Sequence, residues 1–126
     1  MSDTYAVDRF MQAVHAFQPL EVTLREDTQK VDKERIDEVL IDLRAAIPGL
    51  DGEDLGRALV FKAYVTHWRF LTELDKKSVF DVIGAPIDPM LIEALDEARR
   101  GRGLLRTASD VKWAESTVMK LEEYTR

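Results

Sequence analysis

The most apolar stretch of the chain, residues 55–74, predicts a buried central helix. At about 100° per residue, its apolar side chains cover almost the whole helical surface. The polar side chains form one narrow stripe, made of Lys62, Thr66, Arg69 and Glu73. A helix that is apolar nearly all round must be covered by neighbouring elements or by a partner. We therefore expect a helix over about residues 52–74, with the other elements packed around it.

A first helix is predicted at about residues 3–17, with Ser2 or Asp3 as its cap. We expect Pro19 to end this helix, because the residue before a proline disfavours helical geometry. Residues 20–24, LEVTL, alternate apolar and polar side chains like a strand, yet no second segment has a matching pattern. We interpret them as an extended connector, with a helix start or strand pairing across subunits as the alternatives.

A second helix is predicted at about residues 33–47, after a charged and solvated loop over 25–35. Asp32 is its expected cap, and Pro48-Gly49 follows at its end. We expect Asp51 to cap the central helix. Glu53 and Asp54 then lie in the first turn, where negative charge complements the helix dipole.

The segment after the central helix is predicted to bend near residues 75–78 and to form a short helix that ends at Gly84. Asp88-Pro89 is the strongest local signal, because a capping Asp followed by Pro typically starts a helix. We expect that helix to stop at Gly101, and a last helix to run from about 107–110 to Tyr124. The side chains expected to face the core in these three helices are Val79, Phe80, Ile83, Leu91, Ile92, Leu95, Ala98, Val111, Ala114, Val118 and Leu121.

Together these patterns predict an all-α fold, a compact single-domain bundle of five to six helices spanning residues 1–126. The chain has no cysteine, which excludes disulfides and thiolate metal sites and fits a reducing compartment. Its first ten residues contain two aspartates and no apolar run, unlike a signal peptide. We expect a soluble, cytoplasmic protein that does not enter the membrane.

Sequence motifs for catalysis, cofactors and metals are not found. No Gly-x-Ser-x-Gly elbow, phosphate-binding loop or dinucleotide fingerprint occurs. His15 and His67 lack a second metal ligand at helical spacing. His67 falls within the apolar surface of the central helix, and we expect one hydrogen bond to satisfy it there, with a ligand or pH-sensitive contact as the alternative. We expect no enzymatic activity and no cofactor.

Four arginines concentrate positive charge in a chain whose formal net charge is -6. They are Arg99, Arg100, Arg102 and Arg106, and they surround two glycines. Their simplest interpretation is helix-end complementation and solvation. The alternative is an anion site that binds a phosphate, a nucleic-acid backbone or an acidic protein surface. The acidic average makes nucleic acid an unfavourable partner outside this segment.

Aromatic side chains and arginine also recur on the last and central helices. The candidate partner interface consists of Arg57, Phe61, Tyr64, Trp68, Trp113 and Tyr124. Such residues usually belong to a core, but aromatics and arginine are also enriched at protein interfaces. We therefore expect a protein–protein interaction or regulatory module that binds another protein or a second copy of itself. An anion or nucleic-acid binder ranks second, and a small-molecule pocket between helices third.

Overall fold

The computed structural model describes residues 1–74 and 88–125, which fold into five α-helices. They are α1 (Thr4–Glu26), α2 (Lys33–Ala46), α3 (Gly52–Leu74), α4 (Pro89–Leu104) and α5 (Ala108–Thr125). Two 3₁₀ turns, Thr28–Lys30 and Ile47–Gly49, precede and follow α2. These ranges contain no β-strand. The all-α prediction is confirmed, whereas the predicted short helix ending at Gly84, with Val79, Phe80 and Ile83, lies outside the described residues.

Helix α1 continues through Pro19, so the prediction that this proline ends the helix is wrong. Pro19 has no N–H to donate to the carbonyl of His15, and a proline inside a helix costs roughly 3 kcal/mol. Both residues are exposed, so water can hydrate that carbonyl. Continuing the helix buries Leu20 and Leu24, which contributes about 3–6 kcal/mol. Residues 20–24 are therefore helical and form neither a connector nor a strand.

Three aspartates cap helices where the sequence predicts them. Their carboxylates accept hydrogen bonds from the backbone N–H two residues later, at 3.1, 3.2 and 2.9 Å for Asp3, Asp32 and Asp88. Asp51 behaves differently. Its backbone carbonyl accepts a hydrogen bond from Leu55, but its carboxylate binds the hydroxyl of Ser2 and the ammonium group of Met1. Asp51 thus stands at the start of α3 but ties the chain's first residues to it.

Helix α3 contacts all four other helices, as expected for a central element. The largest apolar cluster joins one side of α3 to α1 and α2, and includes Phe10, Phe17, Leu24, Ile36, Leu43 and Val65. Two smaller clusters join its other side to α4 and α5, around Leu91, Leu95, Leu121, Val60 and Ala114. Within residues 1–74 and 88–125, no helix is both long and apolar enough to cross a lipid bilayer.

Two glycines bring the backbones of α3 and α4 into contact. A Cβ added to Gly101 would lie 2.7 Å from the carbonyl oxygen of Gly56, and one added to Gly56 would lie 2.9 Å from that of Gly101. The prediction that α4 stops at Gly101 is wrong, because α4 continues to Leu104. Gly101 is buried inside the helix, where it allows two backbones to meet.

This contact also sets which side of α4 is buried. The row that faces α3 and α5 is Leu91, Ala94, Leu95, Ala98 and Gly101. Ile92 lies outside this row and is 46% exposed, so its predicted core position is wrong. The small residues of the row, rather than its largest apolar residues, determine which side of α4 faces α3. Only small side chains allow the two helices to approach this closely.

We predict that Gly101→Ala destabilises the protein by about 1–3 kcal/mol, because the added methyl group forces the two backbones apart. Gly103→Ala is the matched control. A Cβ at Gly103 meets no atom within 4 Å, and its φ is not positive. This control should leave stability unchanged or raise it by up to about 1 kcal/mol. Urea unfolding followed by circular dichroism measures both, and equal effects would contradict the contact's role.

The polar stripe of α3 lies in the space between α2 and α4, and most of it is covered, although Glu73 at its end is 37% exposed. The side chains of Lys62 and Arg69 are only 5% and 17% exposed. The ammonium group of Lys62 lies 2.6 Å from Glu97 and 3.7 Å from Glu93 of α4. The guanidinium of Arg69 donates to Asp37 of α2 at 2.9 Å. The stripe therefore carries ion pairs that link α3 to both neighbours.

We predict that Glu97→Gln destabilises the fold by about 2–3 kcal/mol, because the buried ammonium group of Lys62 loses its nearest counter-charge. Lys62→Met should destabilise less, since Glu97 retains 19% exposure and can be hydrated once Lys62 is removed. Glu93→Gln is the control. Glu93 is 65% exposed, so this variant should lose no more than about 0.5 kcal/mol of stability. Thermal unfolding measures the stability of the three variants. An equal loss of stability in Glu97→Gln and Glu93→Gln would contradict the role of Glu97 as the main counter-charge of Lys62.

Candidate functional site

Five of the six predicted interface residues come together on one side of α3. They are Arg57, Phe61, Tyr64 and Trp68 of α3 and Trp113 of α5, and we call this surface the aromatic face. All five are half-buried. Helix α1 lies along one edge of this surface and α5 along the other. Tyr124 lies apart from it, with its ring against His67 and Phe70 at centroid distances of 5.4 and 5.1 Å.

The rings of the aromatic face are held in place by edge-to-face contacts. Phe61 packs on Phe17 of α1 at 5.8 Å, and Tyr64 packs on Phe17 at 6.3 Å. Across the face, Tyr64 meets Trp113 at 6.1 Å. Aromatic pairs at such distances contribute about 0.5–1.5 kcal/mol beyond the area that they bury. The inner edges of these rings therefore belong to the core, and their outer edges stay open to solvent.

Polar groups of α1 fix the orientation of two of these rings. The hydroxyl of Tyr64 donates to Glu21 and accepts a hydrogen bond from Arg25 at 3.0 Å. Burial, followed by the hydrogen bond to Glu21, raises the pKa of Tyr64 above its ordinary value, so the hydroxyl keeps its proton at neutral pH. The guanidinium of Arg25 also lies 5.7 Å from the ring centroid of Trp68, a cation–π geometry.

Arg57 marks an acidic end of the aromatic face. Its guanidinium lies 3.1 Å from Asp110 of α5, and 3.4 and 3.5 Å from Glu53 and Asp54 in the first turn of α3. Three carboxylates thus surround one cation. Arg57 is committed to contacts within the chain, and the surplus charge at this end is negative.

Two buried polar atoms on this side of α3 have no hydrogen-bond partner among the described residues. They are Nε2 of His67 and Nε1 of Trp68. The expectation that a hydrogen bond satisfies His67 is therefore not met at this nitrogen. Burial lowers the pKa of His67, the nearby Lys120 lowers it further, and Glu123 opposes the shift. The imidazole is consequently neutral in the folded protein at neutral pH.

We predict that stability falls as the pH is lowered from about 7.5 to about 5.5, because the unfolded chain protonates His67 before the folded chain does. The free energy of unfolding is therefore highest above 6.5, the ordinary pKa of histidine in the unfolded chain, and decreases as the pH falls below that value. His67→Phe should flatten the pH dependence of the urea midpoint. His15→Gln, at an exposed position on α1, is the control. An identical slope in wild type and His67→Phe would refute this role.

The four arginines of the predicted anion site have different surroundings. Arg99 lies 3.6 Å from Glu122 of α5. Arg100 shares a surface groove with Glu93, Asp96 and Glu97 of its own helix. The side chains of Arg102 and Arg106 are exposed, and the backbone N–H of Arg106 donates to Glu53 at 2.9 Å. Carboxylates therefore accompany most of the segment, and the anion-binding hypothesis stays a prediction.

A cavity lies between α2 and α4, lined by residues that the third-ranked prediction, a small-molecule pocket between helices, did not name. It has a volume of about 330 Å³ and lies over the polar stripe of α3, next to Arg69, Phe70 and Glu73. Asp37 of α2 and Leu91 of α4 form its sides. The signal in the sequence was the polar stripe of α3, because charged side chains on a largely apolar helix need water or counter-charges beside them.

Within residues 1–74 and 88–125, no group of three or more His, Asp or Glu side chains is arranged to hold a metal ion.

Comparison of the whole chain with protein-family models, curated proteins and solved structures gives no match. The function must therefore be inferred from the geometry of this chain alone.

Proposed function

We propose that the protein is a non-enzymatic interaction module that binds another protein through the aromatic face. The observation that carries this proposal is the convergence of four half-buried aromatic rings and one arginine on one side of α3. Aromatic residues and arginine dominate the binding energy of protein interfaces, because rigid rings offer a large contact area at a small entropic cost.

The shape of the aromatic face suits a short helix of the partner. Arg57 and Trp68 are eleven residues apart, which corresponds to about 16 Å along α3, or three helical turns. Helices α1 and α5 border this length but do not pack closely on each other in the described structure. Amphipathic helices commonly bind to apolar surfaces of about this length, with apolar anchors spaced by one turn.

The charge of the surface favours a basic partner over a second copy of the chain. Glu53, Asp54 and Asp110 leave an excess of negative charge at the Arg57 end. The whole chain carries a formal charge of -6, so two copies repel each other. We therefore expect the partner to present an apolar helix face with a lysine or arginine near one end. Self-association through the same face is the alternative, and sedimentation over a range of concentrations tests it.

We predict that a photo-reactive benzoylphenylalanine at Lys120 forms cross-links to a defined partner in cells. Lys120 is exposed and lies two turns beyond Trp113 on the same side of α5. The same group at Ile41, which is 57% exposed on α2, is the control. Cross-linked proteins are identified by mass spectrometry. Equal products from both positions, or none from Lys120, would contradict the proposal.

The identified partner is then tested with purified proteins. Both tryptophans of the chain lie on the aromatic face, so binding should shift their fluorescence emission to shorter wavelengths. Trp113→Ala should weaken binding about 30-fold, the loss expected for a dominant interface residue. Tyr5→Ala removes an aromatic ring that is 68% exposed elsewhere on α1, and should change the affinity less than about twofold. Unfolding curves establish that both variants are folded.

A further inference from the structure

The cavity between α2 and α4 has the size and composition of a small-molecule site. Its volume of about 330 Å³ falls at the lower end of the range for ligand pockets. It lies on a different side of α3 from the aromatic face, since Arg69 follows Trp68 by about 100° around the helix. An inference about this cavity therefore does not depend on the proposed function.

The floor of the cavity is apolar. Phe70 of α3 and Leu91 and Met90 of α4 line it. Leu91 is 2% exposed, whereas Met90 is 42% exposed and stands at the rim. The ring of Phe70 is held from behind by Tyr124, at a centroid distance of 5.1 Å. A ligand with an apolar body can therefore cover side chains that are already fixed.

The walls of the cavity are acidic. Asp37, Glu73 and Asp88 contribute three carboxylates, and Arg69 contributes one guanidinium. That guanidinium donates to Asp37 and to Glu73, each at 2.9 Å, so its charge is already compensated. The hydrogen bond from Arg69 lowers the pKa of Glu73 and keeps it ionised at neutral pH. Lys33 reaches Glu73 from outside at 3.5 Å, so the described residues place three carboxylates and two cations around the cavity.

We propose that this cavity binds a small organic cation, with its apolar body on Phe70 and Leu91 and its ammonium group toward Asp37 and Glu73. A carboxylate ligand would have to displace Asp37 or Glu73 from Arg69 and would face the remaining acidic groups. An ammonium group adds the missing positive charge without breaking these ion pairs. Charge complementarity and the apolar floor therefore select the same class of ligand.

The test uses three probes that share a phenyl ring and differ in charge: phenethylammonium, 2-phenylethanol and 3-phenylpropanoate. The four methionines carry ¹³C-labelled methyl groups, and Met90 lines the cavity while Met11 and Met119 are exposed elsewhere. Phenethylammonium should shift the Met90 methyl resonance in a saturable manner, with a Kd in the millimolar range or below, as expected for a ligand of nine heavy atoms. It should bind at least about fivefold more tightly than the neutral alcohol.

Matched variants test the role of the carboxylates. Asp37→Asn should weaken phenethylammonium about fivefold and strengthen 3-phenylpropanoate, because it removes a wall charge and frees part of Arg69. Glu73→Gln should act in the same direction from α3. Asp42→Asn is the control on α2, since Asp42 pairs with Arg9 at 3.5 Å and lies outside the cavity.

Any of the following results would overturn the proposal. The Met90 methyl resonance could stay unshifted up to about 20 mM phenethylammonium, or the wild type could bind 2-phenylethanol as tightly as phenethylammonium. The wild type could bind 3-phenylpropanoate more tightly than phenethylammonium. Asp37→Asn and Asp42→Asn could weaken the binding of phenethylammonium equally. Phenethylammonium shifts spread over the exposed methionines, with Met90 no more affected than Met119, would likewise contradict it. Selective, charge-dependent binding at Met90 that both carboxylate variants weaken would establish the site.

Discussion

The backbone contact between Gly56 and Gly101 sets the distance between α3 and α4, the most extensively packed pair of helices in the described structure. A carbonyl oxygen of one helix occupies the space that a Cβ of the other would need, so α3 and α4 meet more closely than helices with larger side chains can. This contact fixes the row of small α4 residues against α3 and turns Ile92 outward. The same orientation brings Glu97 over Lys62, so one steric constraint also sets the position of a buried ion pair.

The close approach of α4 leaves the larger side chains of α3 to the other helices. On the side of α1 and α5, Phe61, Tyr64 and Trp68 fill the space between helices that do not pack directly on each other. Between α2 and α4, the polar stripe reaches both neighbours through Arg69 and Lys62, and a cavity remains. A single helix thus presents two surfaces of different chemistry. Carboxylates outnumber cations among the described residues of both surfaces, and this charge is the basis for the cationic groups proposed above.

The sequence predicts local features well and tertiary choices less well. Asp32 and Asp88 define helix starts because a cap depends only on neighbouring residues. Pro19 and Gly101 were wrongly predicted to end helices because packing overcomes their local tendency. The helix continues after Pro19 because it buries two leucines. Position 101 is a glycine inside a helix because the backbone of α3 lies against it. The aromatic residues of the face could be nominated from their spacing on α3. The position of Trp113 beside Tyr64, and of Tyr124 away from it, depends on how α5 crosses α3 and follows from no local pattern.

The two proposed interactions would draw on different terms of the binding free energy. The rings of the aromatic face are held by Phe17, Glu21 and Arg25, so a partner loses little side-chain entropy when it covers them, and the burial of apolar area is the main gain. In the cavity, Arg69 is already paired, so a ligand gains only from the carboxylate charge that Arg69 leaves uncompensated and from the apolar floor. Salt should therefore weaken binding in the cavity more than on the aromatic face, because screening acts on charge and leaves apolar burial almost unchanged.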